Sequence, residues 1–272
     1  MGAMQDQRVI YNTFDISQKV NDFRTGTQAF AYVAGGSLYI GSIAPFNNVW
    51  FDLGVLNTDT TAPSVKIWWA NGWHDAVDLN DETDGMKQSG RLSWNTDKDK
   101  SWDIEQTSED VSGLAAFKIY WRYWVKITWS ADFSAGTTLK YVGQKFATDD
   151  TLYSFYPDLS IADIKSGFEA GKTTWDEQHF MSAEHIIRDL KKSGVIKSRS
   201  QLLDWTLLQD AACHKVAEIV YQAFGQPYND QLVRARGQYL EAINIKHFSV
   251  DQNANGRLDA PEATHSTIFG TR

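Results

Sequence analysis

The period of the hydrophobic pattern changes near residue 157, and that change limits the fold more than any single motif does. Before it, short runs rich in β-branched and aromatic residues alternate with turn clusters. The runs are "SLYIGS" (37–42), "NVWFDLGVLN" (48–57), "SVKIWWA" (64–70), "RLSWN" (91–95), "KIYWRYWVKITWS" (118–130) and "TLKYVGQKF" (138–146). Their enrichment and length predict strands. The spacers "AGG", "TDTTAP", "ANGW", "NDETDG", "DKDK" and "FSAGT" carry the Gly, Asn and Asp that turns need. Many short strands with no helix between them predict an antiparallel β-sandwich or jelly roll over residues 1–157. "SVKIWWANGWHDAVDL" reads as one hairpin, with Asn71-Gly72 supplying the positive φ angles of its tight turn.

After "YPDL" (156–159) the period becomes helical, which predicts a helical bundle over 158–272 and an α+β, two-domain chain. Ser160 is placed to cap a short helix ending at Gly171. Thr174-Trp-Asp-Glu177 matches a capping box, followed by a stripe of Phe180, Ala183, Ile186, Ile187 and Leu190 that stops at Gly194. Ser200 opens a longer predicted helix through Leu203, Leu207, Ala211, Val216, Ile219, Val220 and Phe224, ended by Gly225 and Pro227. Asn229 or Asp230 caps a last helix with Leu232, Ala235, Tyr239, Leu240 and Ile243 inward.

Behind that helix stands "DQNANGRLDAPE" (251–262), which matches D-x-[DN]-x-[DN]-G-x5-E in full. Asp251, Asn253 and Asn255 fall at positions one, three and five, and Gly256 at the sharp turn. Arg257 offers a backbone carbonyl, Asp259 acts through water, and Glu262 binds with both oxygens. Oxygen ligands at alternate positions wrap a hard cation, so calcium is the expected ion, held in an EF-hand-like loop. The two Asn lower the ligand charge, and ten residues follow Glu262, too few for a full exit helix. The competing reading is an Asx-rich turn that bonds its own backbone with the same oxygens. Either way the loop is expected to clamp the terminal peptide rather than to act as a sensor, which needs paired opening helices.

Local catalytic motifs are missing from the sequence, which leaves only a glycosidase-type carboxylate dyad, whose partners need not be close in sequence. The histidines His74, His179, His185, His214, His247 and His265 form no H-E-x-x-H or H-x-H pair, and no G-x-S-x-G, P-loop or G-x-G-x-x-G occurs. Asp81-Glu82 and Asp149-Asp150 read as solvated turn carboxylates. The expectation is a protein that is not an enzyme. The single Cys213 rules out an intrachain disulfide and reads as a buried structural thiol. A net charge of −8 with no Lys/Arg patch argues against general nucleic-acid binding. No signal-peptide pattern or membrane span is expected.

Nine of the 11 Trp precede residue 130, which raises a carbohydrate-binding alternative. Trp68, Trp69, Trp73, Trp94, Trp121, Trp124 and Trp129 would line a platform for sugar rings. Strand alternation in "YWRYWVKITW" places Trp121, Tyr123, Val125 and Ile127 on one face and Tyr120, Arg122, Trp124 and Lys126 on the other. The second, mixed face suits a neighbouring subunit as well as a glycan.

Taken together, "LYIGSIAPFNNVWFDLGVLNT", "VKIWWANGWHDAVDL" and "QSGRLSWN", followed by "DEQHFMSAEHIIRDLKKSGVI", "WTLLQDAACHKVAEIVYQAF" and "YLEAINIKHFSVDQNANGRLD", resemble structural proteins encoded beside the portal and capsid genes of long-tailed bacteriophages. The resemblance covers nearly the whole chain. The helical half is similar to head–tail connector (neck adaptor) proteins, which form a dodecameric ring beneath the portal; the β-domain is an addition to that minimal adaptor. The resemblance implies a virion protein that joins portal to tail, contacts other neck or tail proteins and its own copies, and extends a channel through which DNA slides without sequence recognition. It also implies assembly in the host cytoplasm without a membrane. In that setting the last ten residues, "ATHSTIFGTR" (263–272), are expected to dock on the portal protein through Ile268, Phe269 and Arg272.

Overall fold

A computed structural model of the chain describes residues 7–96, 102–244, 251 and 256. These divide into two compact units. The first contains residues 7–143 together with 198–203, Asp251 and Gly256; the second contains 144–197 and 204–244. The division therefore falls fourteen residues ahead of the change of period at 157, and two stretches from the later half of the chain group with the strands. The early division has a local cause: residues 149–155 form just under two helical turns, too short for their period to show in the sequence.

The first unit contains twelve strands in chain order: β1 (Gln7–Tyr11), β2 (Phe14–Asp15), β3 (Gln28–Ala29), β4 (Leu38–Ser42), β5 (Asn48–Val55), β6 (Pro63–Trp69), β7 (Gly72–Asp75), β8 (Val77–Asp81), β9 (Gly90–Asn95), β10 (Glu105–Thr107), β11 (Tyr120–Trp129) and β12 (Thr138–Gly143). A short helix, α1 (Ser17–Val20), follows β2. All pairings are antiparallel. One sheet has the order β2-β1-β4-β11-β6-β7, with β10 also pairing β11; the other has the order β3-β12-β5-β9-β8. Both sheets contribute to a common core, with Val9, Ile40, Ile67 and Val125 from the first and Val49, Phe51, Leu92 and Val142 from the second. Alternation explains this, because every second side chain of a strand reaches the same face.

The outer face of the first sheet is covered as well. Ile10, Tyr39, Trp68 and Trp124 pack there under Val111, Leu114 and Ile119 from the segment ahead of β11. The face expected to be mixed and exposed is therefore a second small core, and Arg122 is buried with it. At the start of β11 the alternation fails. Trp121 has φ +55°, and it and Tyr120 are 55% and 56% exposed. Arg122 Nη1 donates to both of their carbonyls, at 2.9 and 3.2 Å, and holds the distorted backbone.

The β6–β7 hairpin forms, with its turn one residue earlier than expected. Trp69 pairs with Gly72, so the central residues are Ala70 and Asn71, at φ +48° and +58°. This register sets Trp68 opposite Trp73, whose rings meet edge to face at 5.1 Å. Because β6 is held by its pairing with β11, a one-residue slip of β7 would carry Trp73 to the opposite face, away from Trp68.

The second unit is helical: α2 (Asp149–Phe155), α3 (Ala162–Phe168), α4 (Asp176–Lys192), α5 (Gln209–Phe224) and α6 (Asn229–Ile243). Phe180, Ala183, Ile186 and Leu190 of α4 are buried as the stripe predicts, while Ile187 is half-buried. The capping box at Thr174 does not form. Thr174 Oγ1 donates to Asp176 Oδ2 (2.8 Å), and Trp175 is the cap residue. Ser200 does not open α5, which starts at Gln209; residues 199–201 form a separate single turn that belongs to the first unit. On α6 the inward residues are Ala235 and Tyr239, whereas Leu240 is 59% exposed and Val233 64%. Polar ties fix that rotation: Tyr239 donates to Asp189 Oδ2 (2.7 Å) and Arg236 Nε to Glu218 Oε1 (3.0 Å). Among the described residues no helix is long and apolar enough to cross a membrane.

Candidate functional site

The described part of the 251–262 loop is seated within the first unit, on Gln201, Thr96 and Trp102, all distant from it in sequence. Asp251 is fully buried. Its backbone pairs with Gln201, whose carbonyl accepts from Asp251 N–H (3.4 Å) and whose Nε2 donates to the Asp251 carbonyl (3.0 Å). Gln201 is held in turn by Ser198, whose N–H donates to its Oε1 (3.1 Å). Ser200 Oγ hydrogen-bonds Ser42 Oγ at the end of β4, and Asn47 Nδ2 donates to the Leu203 carbonyl (3.1 Å). Residues 198–203 thus fasten to the strands and present Gln201 to the loop.

Gly256 closes the other side. Its N–H donates to Asp251 Oδ2 (2.8 Å), and its carbonyl accepts from Thr96 Oγ1 (3.4 Å), which itself accepts from Trp102 Nε1 (2.7 Å). A Cβ at residue 256 would stand 2.4 Å from Trp102 Nε1, and its φ is +78°. Both the contact and the dihedral require glycine there. Trp102 packs on Phe46 (5.5 Å) and Tyr123 (6.3 Å). Burial, with Asp251 and Asp103 adding, pushes the Tyr123 phenol above its ordinary value.

Gly256 supplies the positive φ expected at the sharp turn, and its bond to the buried Asp251 carboxylate suits the calcium loop and the Asx turn alike. The other expected ligands, Asn253, Asn255, Arg257, Asp259 and Glu262, lie outside the described residues, as do Ile268, Phe269 and Arg272. Among the described residues no group of three or more His, Cys, Asp or Glu side chains could hold a metal ion. Nothing local in the sequence marks Gln201, Thr96 or Trp102 as loop supports, because their roles arise from pairings at long range.

Of the seven candidate sugar-platform tryptophans, Trp68, Trp94, Trp124 and Trp129 are buried. Trp69 and Trp73 are half-buried, and Trp121 is exposed.

The second unit holds a partly buried polar cluster where the sequence suggests only solvated turn carboxylates. Asp149 begins α2, and its carboxylate accepts from Tyr153 Oη (2.8 Å), Trp175 N–H (3.2 Å) and His179 Nε2 (3.1 Å). Beside it Lys145 pairs with Asp176 at 2.6 Å. Burial opposes ionisation of both carboxyls, but hydrogen bonds, with the Lys145 ammonium beside Asp176, hold them below the usual range. Cys213 is buried, as expected, and burial pushes its thiol up to about 11. The chain matches no protein-family model and no curated protein.

Proposed function

We propose that the chain is a non-catalytic structural protein of a tailed-phage neck, which assembles with copies of itself into a ring joining portal to tail. The observation that carries this reading is the outward side of α6. Val233 and Leu240 lie two turns apart there and are 64% and 59% exposed, with Gly237 between them. Apolar residues aligned on a solvent-facing helix are what a subunit interface requires. The expected test is a Val233→Glu/Leu240→Glu double variant, which should remain folded by circular dichroism and lose the ring. A ring unaffected by both charges would remove this support.

In the same reading the paired sheets are a β-sandwich of jelly-roll type. The 251–262 loop is EF-hand-like and takes calcium through Asp251, Asn253, Asn255, Arg257, Asp259 and Glu262. Its clamp positions the 263–272 arm for the portal, with Ile268 and Phe269 as apolar anchors. Because Gly256 rests on Trp102, calcium should change tryptophan emission on titration, and Asp251→Asn should abolish the change. Emission that ignores calcium in the wild-type chain would argue for an Asx turn instead. DNA would slide through an acidic channel, where few Lys/Arg contacts release counterions and hold it.

A second reading is carbohydrate binding, favoured by the exposed pair Tyr120 and Trp121. Quenching of tryptophan emission by oligosaccharides, lost in Trp121→Ala, would support it over the ring.

A further inference from the structure

We propose that Asp149 and His179 form an acid-released latch between the first turn of α2 and the first turn of α4. The His179 ring is fully buried. Its Nε2 faces Asp149 Oδ1, and an ionised carboxylate only accepts, so Nε2 carries the proton of the neutral ring. Nδ1 is buried and has no hydrogen-bond partner among the described residues. In the neutral ring Nδ1 is a bare lone pair, which is tolerable. In the imidazolium it becomes an N–H with no acceptor on a buried cation, and that is costly.

The surrounding groups oppose one another. Asp149 on α2 and Asp176 on α4 favour a charged ring, while Lys145, ahead of α2, disfavours it. Behind Asp149 on α2 stand Tyr153, whose hydroxyl it accepts, and Asp150. From α5, Cys213 bonds Thr151 of α2 and stays a neutral thiol near neutral pH. Burial outweighs the two carboxylates, so the ring's pKa lies below the ordinary 6.5.

The imidazolium becomes comfortable only when the ring reaches water, and that separates the start of α4 from Asp149. The same carboxylate also receives the Trp175 N–H at the cap of α4, so opening removes two ties to α4 together. The latch holds at neutral pH and is released as pH falls, because the opened state takes up a proton that the closed state refuses.

The test is urea unfolding of the full chain between pH 8 and 5, compared with His179→Gln, whose amide keeps a donor toward Asp149 but cannot titrate. Below pH 6.5 the wild-type unfolding constant should rise with a slope up to about tenfold per pH unit steeper than the variant's. Equal slopes would overturn the latch. Should the variant fail to fold, the His179 ring-proton shift of the wild type decides. A ring still neutral at pH 6.5 is expected, and one half-protonated there or above would overturn the proposal.

Discussion

Gly41 on β4 sits directly opposite Trp124 on β11, and a Cβ at residue 41 would stand 2.6 Å from the indole. The ring lies flat over a strand with no side chain at that point, and this lets a fully buried Trp sit on the outer face of the sheet. Gly41→Ala should therefore cost about 1–3 kcal/mol, as overpacking of a filled core does. Urea denaturation measures it, and an unchanged midpoint would contradict the packing. Residues of this kind show where sequence reading stops. "SLYIGS" identifies a strand from its composition, but nothing in it says that Gly41 makes room for a ring 83 positions away. Trp124 likewise reads as one more outward aromatic, because its cover comes from Val111, Leu114 and Ile119, which have no strand or helix period of their own. Gly256 was legible because its chemistry is local: the spacing alone assigns the sharp turn, and the residue has φ +78°.

Among the elements, the β6–β7 hairpin gives a direct test of register. If Ala70 and Asn71 are the central residues, replacing them by Asn-Gly supplies the preferred pair for two positive φ angles and should stabilise by roughly 1 kcal/mol. A loss of stability would favour the turn at Asn71-Gly72. Asn-Gly in sequence points to the turn as Asn71-Gly72; the pairing of Trp68 with Trp73 overrides that local preference. Helices α5 and α6 are tied through Glu218, which accepts from Lys215 Nζ (2.8 Å) and Arg236 Nε (3.0 Å). Glu218 is largely buried, so Glu218→Ala leaves the half-buried Lys215 without its carboxylate and should cost about 1.5–3 kcal/mol by thermal denaturation. Unchanged stability would show the pair to be incidental. The apolar stripe reveals α4 although Gln178, His179 and Ser182 are buried beside it; on α6 the stripe places Ala235 and Tyr239 inward but not Leu240, because polar ties set the rotation.

At the scale of the whole molecule, the helical unit should be the acid-sensitive part. His179, His185 and His214 all have pKa values below 6.5 through burial, so the stability they contribute is present above that pH and lost as pH falls through it. The carboxyls of Asp149, Asp176 and Glu218, also lowered, add a further loss below about pH 4.5. The first unit has His74 as its one described histidine, on β7 near the surface. Hydrogen exchange at pH 7 and pH 5 should therefore show protection falling in α2 and α4 before it falls in β4, β5 and β11; simultaneous loss would contradict this. The change of period near 157 reveals two kinds of structure but not that residues 198–203, Asp251 and Gly256 rejoin the strands, since only contacts between distant segments encode that return. Negative-stain imaging of the purified full chain, with and without portal, tests the proposed role most directly. Closed rings that seat on the portal are predicted, and particles that stay single and never attach would contradict it.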